Sequence, residues 1–135
     1  MPPLIAVVDD DASVRESLES LIRSSGYSVK LFASAEEFLN SPGLHETNCL
    51  ILDVRLPGMD GIDLHRHLLA KHYKVPVIFI TAHASDEHTR SRALRNGAVD
   101  YLIKPFSEEA LLSAVDVALS SKSDGTQNRS SKEFQ

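Results

Sequence analysis

Five short apolar runs, of which LIAVV, CLIL and VPVIFI read as continuous rather than alternating, constrain this chain more than anything else in it. They are Leu4–Val8, Val29–Phe32, Cys49–Leu52, Val75–Ile80 and Val99–Ile103. Unbroken β-branched runs of this length mark strands buried on both faces, as in a parallel sheet. The segments between them carry helical spacing. Val14, Leu18, Leu21 and Ile22 share one face, and Gly26 stands where a terminating glycine belongs. Ser34-Ala-Glu-Glu37 is a capping box that opens a second helix at Phe38 and Leu39. Ile62, Leu64, Leu68 and Leu69 mark a third helix that ends before Val75-Pro76. Ser85 or Asp86 is placed to cap a fourth, ended by Gly97. Ser107 caps a fifth, with a stripe of Leu111, Leu112, Val115 and Leu119.

Strand and helix alternate five times, which predicts right-handed crossovers and a doubly wound, flavodoxin-like α/β fold with strand order 2-1-3-4-5. The expected domain covers residues 1–121. The polar, Ser-rich stretch 122–135 buries too little to offset its ordering entropy and reads as a disordered tail or linker.

The chain of 135 residues is long enough for one domain with a real core. Its net charge of −5, with no Lys/Arg run, argues against direct nucleic-acid binding. Cys49 is the single cysteine and sits inside a strand run, so an inert buried thiol is expected, in keeping with a reducing compartment. There is no signal-peptide pattern and no run of membrane-spanning length, which points to a cytoplasmic protein without membrane contact.

The polar residues at the run ends carry the chemistry. Asp9 and Asp10 follow the first run, Asp53 the third, Thr81 the fourth and Lys104 the fifth. In a parallel sheet these carboxyl ends share one edge, where ligands bind. Three carboxylates, a hydroxyl and an ammonium then converge. Clustered carboxylates repel unless a cation compensates, and hard oxygen donors suit Mg2+ better than zinc. A Lys at the end of a buried strand is unusual unless paired with acids. It precedes Pro105, so the Lys104–Pro105 bond is a candidate for the cis form. Asp53, held on a rigid strand end before the turn-forming Pro-Gly-Met-Asp-Gly, is suited to attack a phosphoryl group. Tyr101 is amphipathic enough to move between core and solvent. The histidines lack metal-ligand spacing. His65, His67 and His72 are read as helix residues, and His45 and His88 as solvent residues.

The set VVDD, LILDVRLPGMDG, ITA and DYLIKPF resembles the receiver domain of bacterial two-component response regulators. The Ser-Ala-Glu-Glu-Phe-Leu helix and GAVDYLIKPF make it similar to the FixJ branch, over about residues 4–120. The resemblance implies a non-enzymatic signalling domain that accepts a phosphoryl group on Asp53 from a partner sensor histidine kinase. It implies Mg2+ on Asp9, Asp10, Asp53 and the backbone carbonyl of Arg55, with Lys104 and Thr81 contacting the phosphoryl group. Tyr101 is then the switch aromatic. The face built by the fourth helix, fifth strand and fifth helix makes a homodimer or grips an output partner, with transcriptional control the expected output.

Other readings are a stand-alone phosphate shuttle or a pseudo-receiver that only binds protein. An aspartyl phosphatase of the haloacid-dehalogenase type wants a second acid two residues after its nucleophile, where this chain has Arg55. Arg55 and His83, each two residues past a site residue, are expected to tune phosphate lifetime by placing or excluding the attacking water. Arg55→Ala and His83→Ala should each change the rate of phosphate loss several-fold, timed on the labelled protein. An unchanged rate in both removes that role.

Overall fold

Strand order and layering follow directly from the apolar runs. The computed structural model describes residues 2–82 and 87–127, with side chains described as far as residue 120. The chain runs β1 (Leu4–Val8), α1 (Ala12–Ser24), β2 (Ser28–Phe32), α2 (Ala35–Leu39), a 3-10 turn at Leu44–Glu46, and β3 (Cys49–Asp53). It continues through α3 (Gly61–Ala70), β4 (Val77–Thr81), α4 (Glu87–Arg95), β5 (Asp100–Ile103) and α5 (Glu108–Gln127). All four strand pairings are parallel, in the order β2-β1-β3-β4-β5. The expected tail at 122–135 begins inside α5, and residues 128–135 lie outside the described ones.

The two faces of the sheet carry separate cores, because successive strand residues point to opposite sides. Ala6, Val8, Leu50, Leu52 and Phe79 pack under α2, α3 and α4 through Phe38, Leu64, Leu68 and Ala93. Ile5, Val7, Ile51, Ile78 and Ile80 pack under α1 and α5 through Leu18, Ile22, Leu111 and Val115. Each such large side chain, removed from water, stabilises the fold by about 1.5–3 kcal/mol. Cys49 is fully buried in the second core, and desolvation pushes its thiol up to about 12.

Local signals place the helix ends. Asp11 accepts from the Ser13 amide at 2.8 Å at the start of α1. The Ser34 hydroxyl accepts from the Glu37 amide at 3.1 Å as the expected box requires, while Glu37 reaches one residue past the cap, to the Ala33 amide at 2.8 Å. Ser107 accepts from the Ala110 amide at 3.0 Å before α5. Gly26 and Gly97 close α1 and α4 with φ of +94° and +99°. The cap expected from Ser85 or Asp86 lies outside the described residues. No helix of the described residues is long and apolar enough to cross a membrane.

The third helix departs from the expected pattern. Asp60 caps it, accepting from the Asp63 amide at 2.9 Å. Gly61, Leu64, His65 and Leu68 are buried, and Leu69 is 44% exposed. His65 takes the inward place assigned to Leu69 and meets the Phe79 ring edge-on at 5.4 Å. Burial lowers its pKa, favouring the neutral imidazole. His72 is not helical. It follows the helix end with φ of +63°.

Gly61 is held by close approach. A Cβ built there would lie 2.1 Å from the Asp53 carbonyl oxygen, with the Val54 backbone also in the way. Backbone cannot yield as a side chain can. Gly61→Ala should therefore lose at least about 2 kcal/mol of stability by urea unfolding. A loss under about 0.5 kcal/mol, the range of an ordinary surface change, contradicts the close packing of α3 on β3.

Candidate phosphoryl and cation site

Register decides which side chains meet. Val8 pairs with Leu52, so Asp9 emerges beside Asp53. Asp53 pairs with Ile80 and Thr81 with Ile103, which sets Thr81 and Lys104 one strand and two strands further along the same edge. The Lys104 amide donates to the Thr81 carbonyl at 2.7 Å, extending the ladder past β5, and the Lys104–Pro105 peptide is cis.

The structure brings Asp9, Asp10, Asp53 and Lys104 together. One carboxylate oxygen from each acid lies within 4.8 Å of the others. Asp9 is fully buried, Asp53 nearly so, and Asp10 exposed at the mouth. Lys104 Nζ donates to Asp9 Oδ2 at 2.9 Å and to Asp53 Oδ2 at 3.4 Å. A single ammonium thus lies against two buried carboxylates. Burial works against that charge, yet the Asp9 hydrogen bond and the two carboxylate charges outweigh it and raise the Lys104 pKa.

Backbone donors complete the site. The Asp11 amide donates to Asp9 Oδ1 at 2.9 Å, and the Arg55 amide to Asp53 Oδ1 at 3.1 Å. Each buried acid therefore offers one oxygen to an amide and the other to Lys104. Asp53 still feels burial most strongly, then the Asp9 charge. Together they push it up to about 6 despite the pull of Lys104 and the Arg55 amide. One positive charge against three negative ones is an incomplete balance. The donor set, all oxygen with an exposed edge for water, fits a hard divalent cation such as Mg2+.

Thr81 is fully buried at its strand end, and Tyr101 is 6% exposed, turned toward the core against Phe79 with ring centres 6.1 Å apart. The Arg55 side chain is exposed at the rim. His83, the second expected tuning residue, lies outside the described residues.

Two supports were not foreseen from the sequence. Arg15 on α1 donates to the Asp9 carbonyl at 2.7 Å, and Glu36 accepts from the Met59 amide at 3.0 Å. Arg15 lies six residues from Asp9 with a helix start between them, and Glu36 lies 23 residues from Met59. Neither pairing has a local signature.

The family model described as the response regulator receiver domain matches residues 5–116. The chain is similar to response regulator protein TmoT of Ectopseudomonas mendocina, 47% identical over 116 residues, covering 86% of this chain and 52% of that protein. It is similar to transcriptional regulatory protein FixJ of Bradyrhizobium diazoefficiens, 40% identical over 116 residues, covering 85% of this chain and 56% of that protein. The solved response regulator StyR superposes with a TM-score of 0.85 at 42% identity, covering 98% of this chain and 67% of that one. The chain spans about half the length of the curated relatives it matches.

The shifted Asp53 makes the bare site a pH-dependent liability. Its carboxyl holds a proton to about pH 6 when folded, whereas the unfolded chain releases it near 3.8. Stability from Asp53 is therefore present below the lower value and lost as pH rises through the upper one. With EDTA present, Asp53→Asn should be more stable than wild type by about 1–2 kcal/mol at pH 7.5, with the gap closing by pH 4. Urea unfolding at the two pH values measures it. A destabilised variant, or a gap independent of pH, contradicts the assignment.

Proposed function

This chain belongs to the response regulator receiver domain family, and from that premise we propose that it is a switch set by phosphorylation of Asp53. The donor is a sensor histidine kinase that presents a phosphohistidine. The observation that carries the reading is the placement of Lys104 Nζ against both Asp9 Oδ2 and Asp53 Oδ2.

Asp53 is the nucleophile. Its Oδ1 is engaged by the Arg55 amide, and its attacking oxygen forms the new bond to phosphorus in line with the breaking phosphorus–nitrogen bond. The imidazole of the donor keeps the electron pair. Lys104 leaves the carboxylates in part to meet a phosphoryl oxygen, where its charge stabilises the transition state. Asp9, Asp10, Asp53 and the Arg55 carbonyl are the groups that would hold Mg2+, which when bound supplies positive charge to the phosphoryl oxygens. The chain modifies itself and turns over no external substrate, so it is a signalling domain rather than an enzyme in the ordinary sense.

The phosphoryl group then draws on the Thr81 hydroxyl. Tyr101 and Thr81 work as a pair whose positions differ in population between the two states. The burial of Tyr101 supports an inward position for it in one of the two states. The readout is the surface of α4, β5 and α5, which serves a homodimer or an output partner. Relatives named as transcriptional regulators, all longer than this chain, support transcriptional control as the output. The acidic balance of the chain supports a role without direct nucleic-acid contact.

Acetyl phosphate with Mg2+ should add one phosphoryl group to the wild-type chain, seen by intact mass. Asp53→Asn should add none. Lys104→Ala should still fold but label at least about tenfold more slowly. A Asp53→Asn chain that labels at the wild-type rate overturns the acceptor assignment. A wild-type chain that never labels, yet binds its partner unchanged, favours the pseudo-receiver reading.

A further inference from the structure

We propose that Glu36 is a positioning residue for this site: its carboxylate latches the loop between β3 and α3 and thereby holds the Arg55 backbone in place beside Asp53. The inference rests on the phosphoryl-acceptor reading above and extends it to a residue outside the sheet edge.

The first turn of α2 contains two adjacent glutamates with different tasks. Glu37 is committed locally, to the Ala33 amide at 2.8 Å beside the cap. Glu36 contributes nothing to that cap. Its Oε2 accepts instead from the Met59 amide at 3.0 Å, across 23 residues of sequence. The contact lowers the Glu36 pKa, chiefly through the Met59 hydrogen bond, so the carboxylate is ionised over the whole neutral range.

Gly58 is shaped to receive this carboxylate. Its φ is +72°, a conformation that favours glycine, and a Cβ there would lie 2.8 Å from Glu36 Oε2. The same residue therefore makes the turn and leaves room for the latch. The other end of the loop is pinned by backbone. Gly61 donates to the Val54 carbonyl at 2.9 Å, with the Asp53 carbonyl packed against it. Between them, Val54 and Leu56 are buried, while Arg55, Pro57 and Gly58 are exposed. Glu36 ties down the exposed side of a loop whose buried side is held by apolar contact.

The loop matters because it carries two elements of the site. The Arg55 amide fixes Asp53 Oδ1 at 3.1 Å, and the Arg55 carbonyl completes the proposed cation set. Cutting the latch leaves both to a loop with more freedom, and Mg2+ binding must then supply the ordering entropy. Glu36 is exposed and touches neither the cation nor the phosphoryl group. The expected loss in Mg2+ affinity is therefore about fivefold, below the range typical of direct outer partners of metal ligands.

The test uses the whole chain with Glu36→Ala and Glu36→Gln, at an ionic strength where an exposed charge is largely screened. Mg2+ affinity is measured by calorimetry and exchange of the Met59 amide by NMR. Glu36→Ala should bind Mg2+ about fivefold more weakly and expose the Met59 amide to exchange. Glu36→Gln keeps an acceptor oxygen at the same reach, so it should stay within about twofold of wild type on both counts. A purely stabilising α2 residue would move the urea midpoint and leave Mg2+ affinity alone. Wild-type Mg2+ affinity in Glu36→Ala overturns the latch, and so does a Glu36→Gln as weak as Glu36→Ala. A wild-type chain that binds no Mg2+ and takes no phosphoryl group on Asp53 brings down the acceptor reading, and the latch with it.

Discussion

Two buried carboxylates and one ammonium share a space at the sheet edge, and most of the rest of the molecule can be understood from what that costs. Asp9 and Asp53 are taken out of water by the strands that carry them. Lys104 Nζ answers both at once, at 2.9 and 3.4 Å. A third acid, Asp10, stands at the mouth. One ammonium faces three acids, and Asp53 is held well above its ordinary range, by burial first and by the Asp9 charge second. A site in that condition is compatible with a divalent cation such as Mg2+.

The fold supplies rigidity where the charges are. Asp9 and Asp53 each give one oxygen to an amide two residues on, so neither carboxylate can rotate without losing a donor. Arg15 on α1 grips the Asp9 carbonyl, and Glu36 on α2 grips the loop after Asp53. α1 and α2 thus each contribute one polar contact, while their apolar faces are spent on the core. The side of the sheet toward α4 and β5 is built differently. Tyr101 and Thr81 lie on β5 and β4, next to the less apolar α4, whose single buried residue is Ala93. A thinly packed element beside a densely packed site is the physical setting in which a local charge change can shift a population.

Much of this was legible in the chain itself, for identifiable reasons. Continuous apolar runs admit few folds other than a parallel sheet, and strand ends in such a sheet converge by topology, so Asp9, Asp10, Asp53 and Lys104 could be grouped before any geometry was known. The residues that escaped share a different property. Leu64 and Leu68 point inward as their spacing implies, but at the edge of that face His65 is buried and Leu69 exposed, a choice made by the neighbouring Phe79 ring and not by spacing. Glu36 lies inside the Ser34-to-Glu37 spacing without a signal of its own, and only the fold brings it to the Met59 amide. Contacts between distant backbone amides and exposed side chains leave no pattern in sequence spacing.

The claim on which this account stands is that Asp9 and Asp53 form one electrostatic unit completed by a divalent cation. Carboxyl-carbon NMR of the aspartates during a Mg2+ titration addresses it directly. Asp9 and Asp53 should shift together, with a common midpoint, while Asp116 on the far helix stays still. Independent midpoints for the two, or an Asp53 signal that ignores Mg2+ altogether, would contradict it.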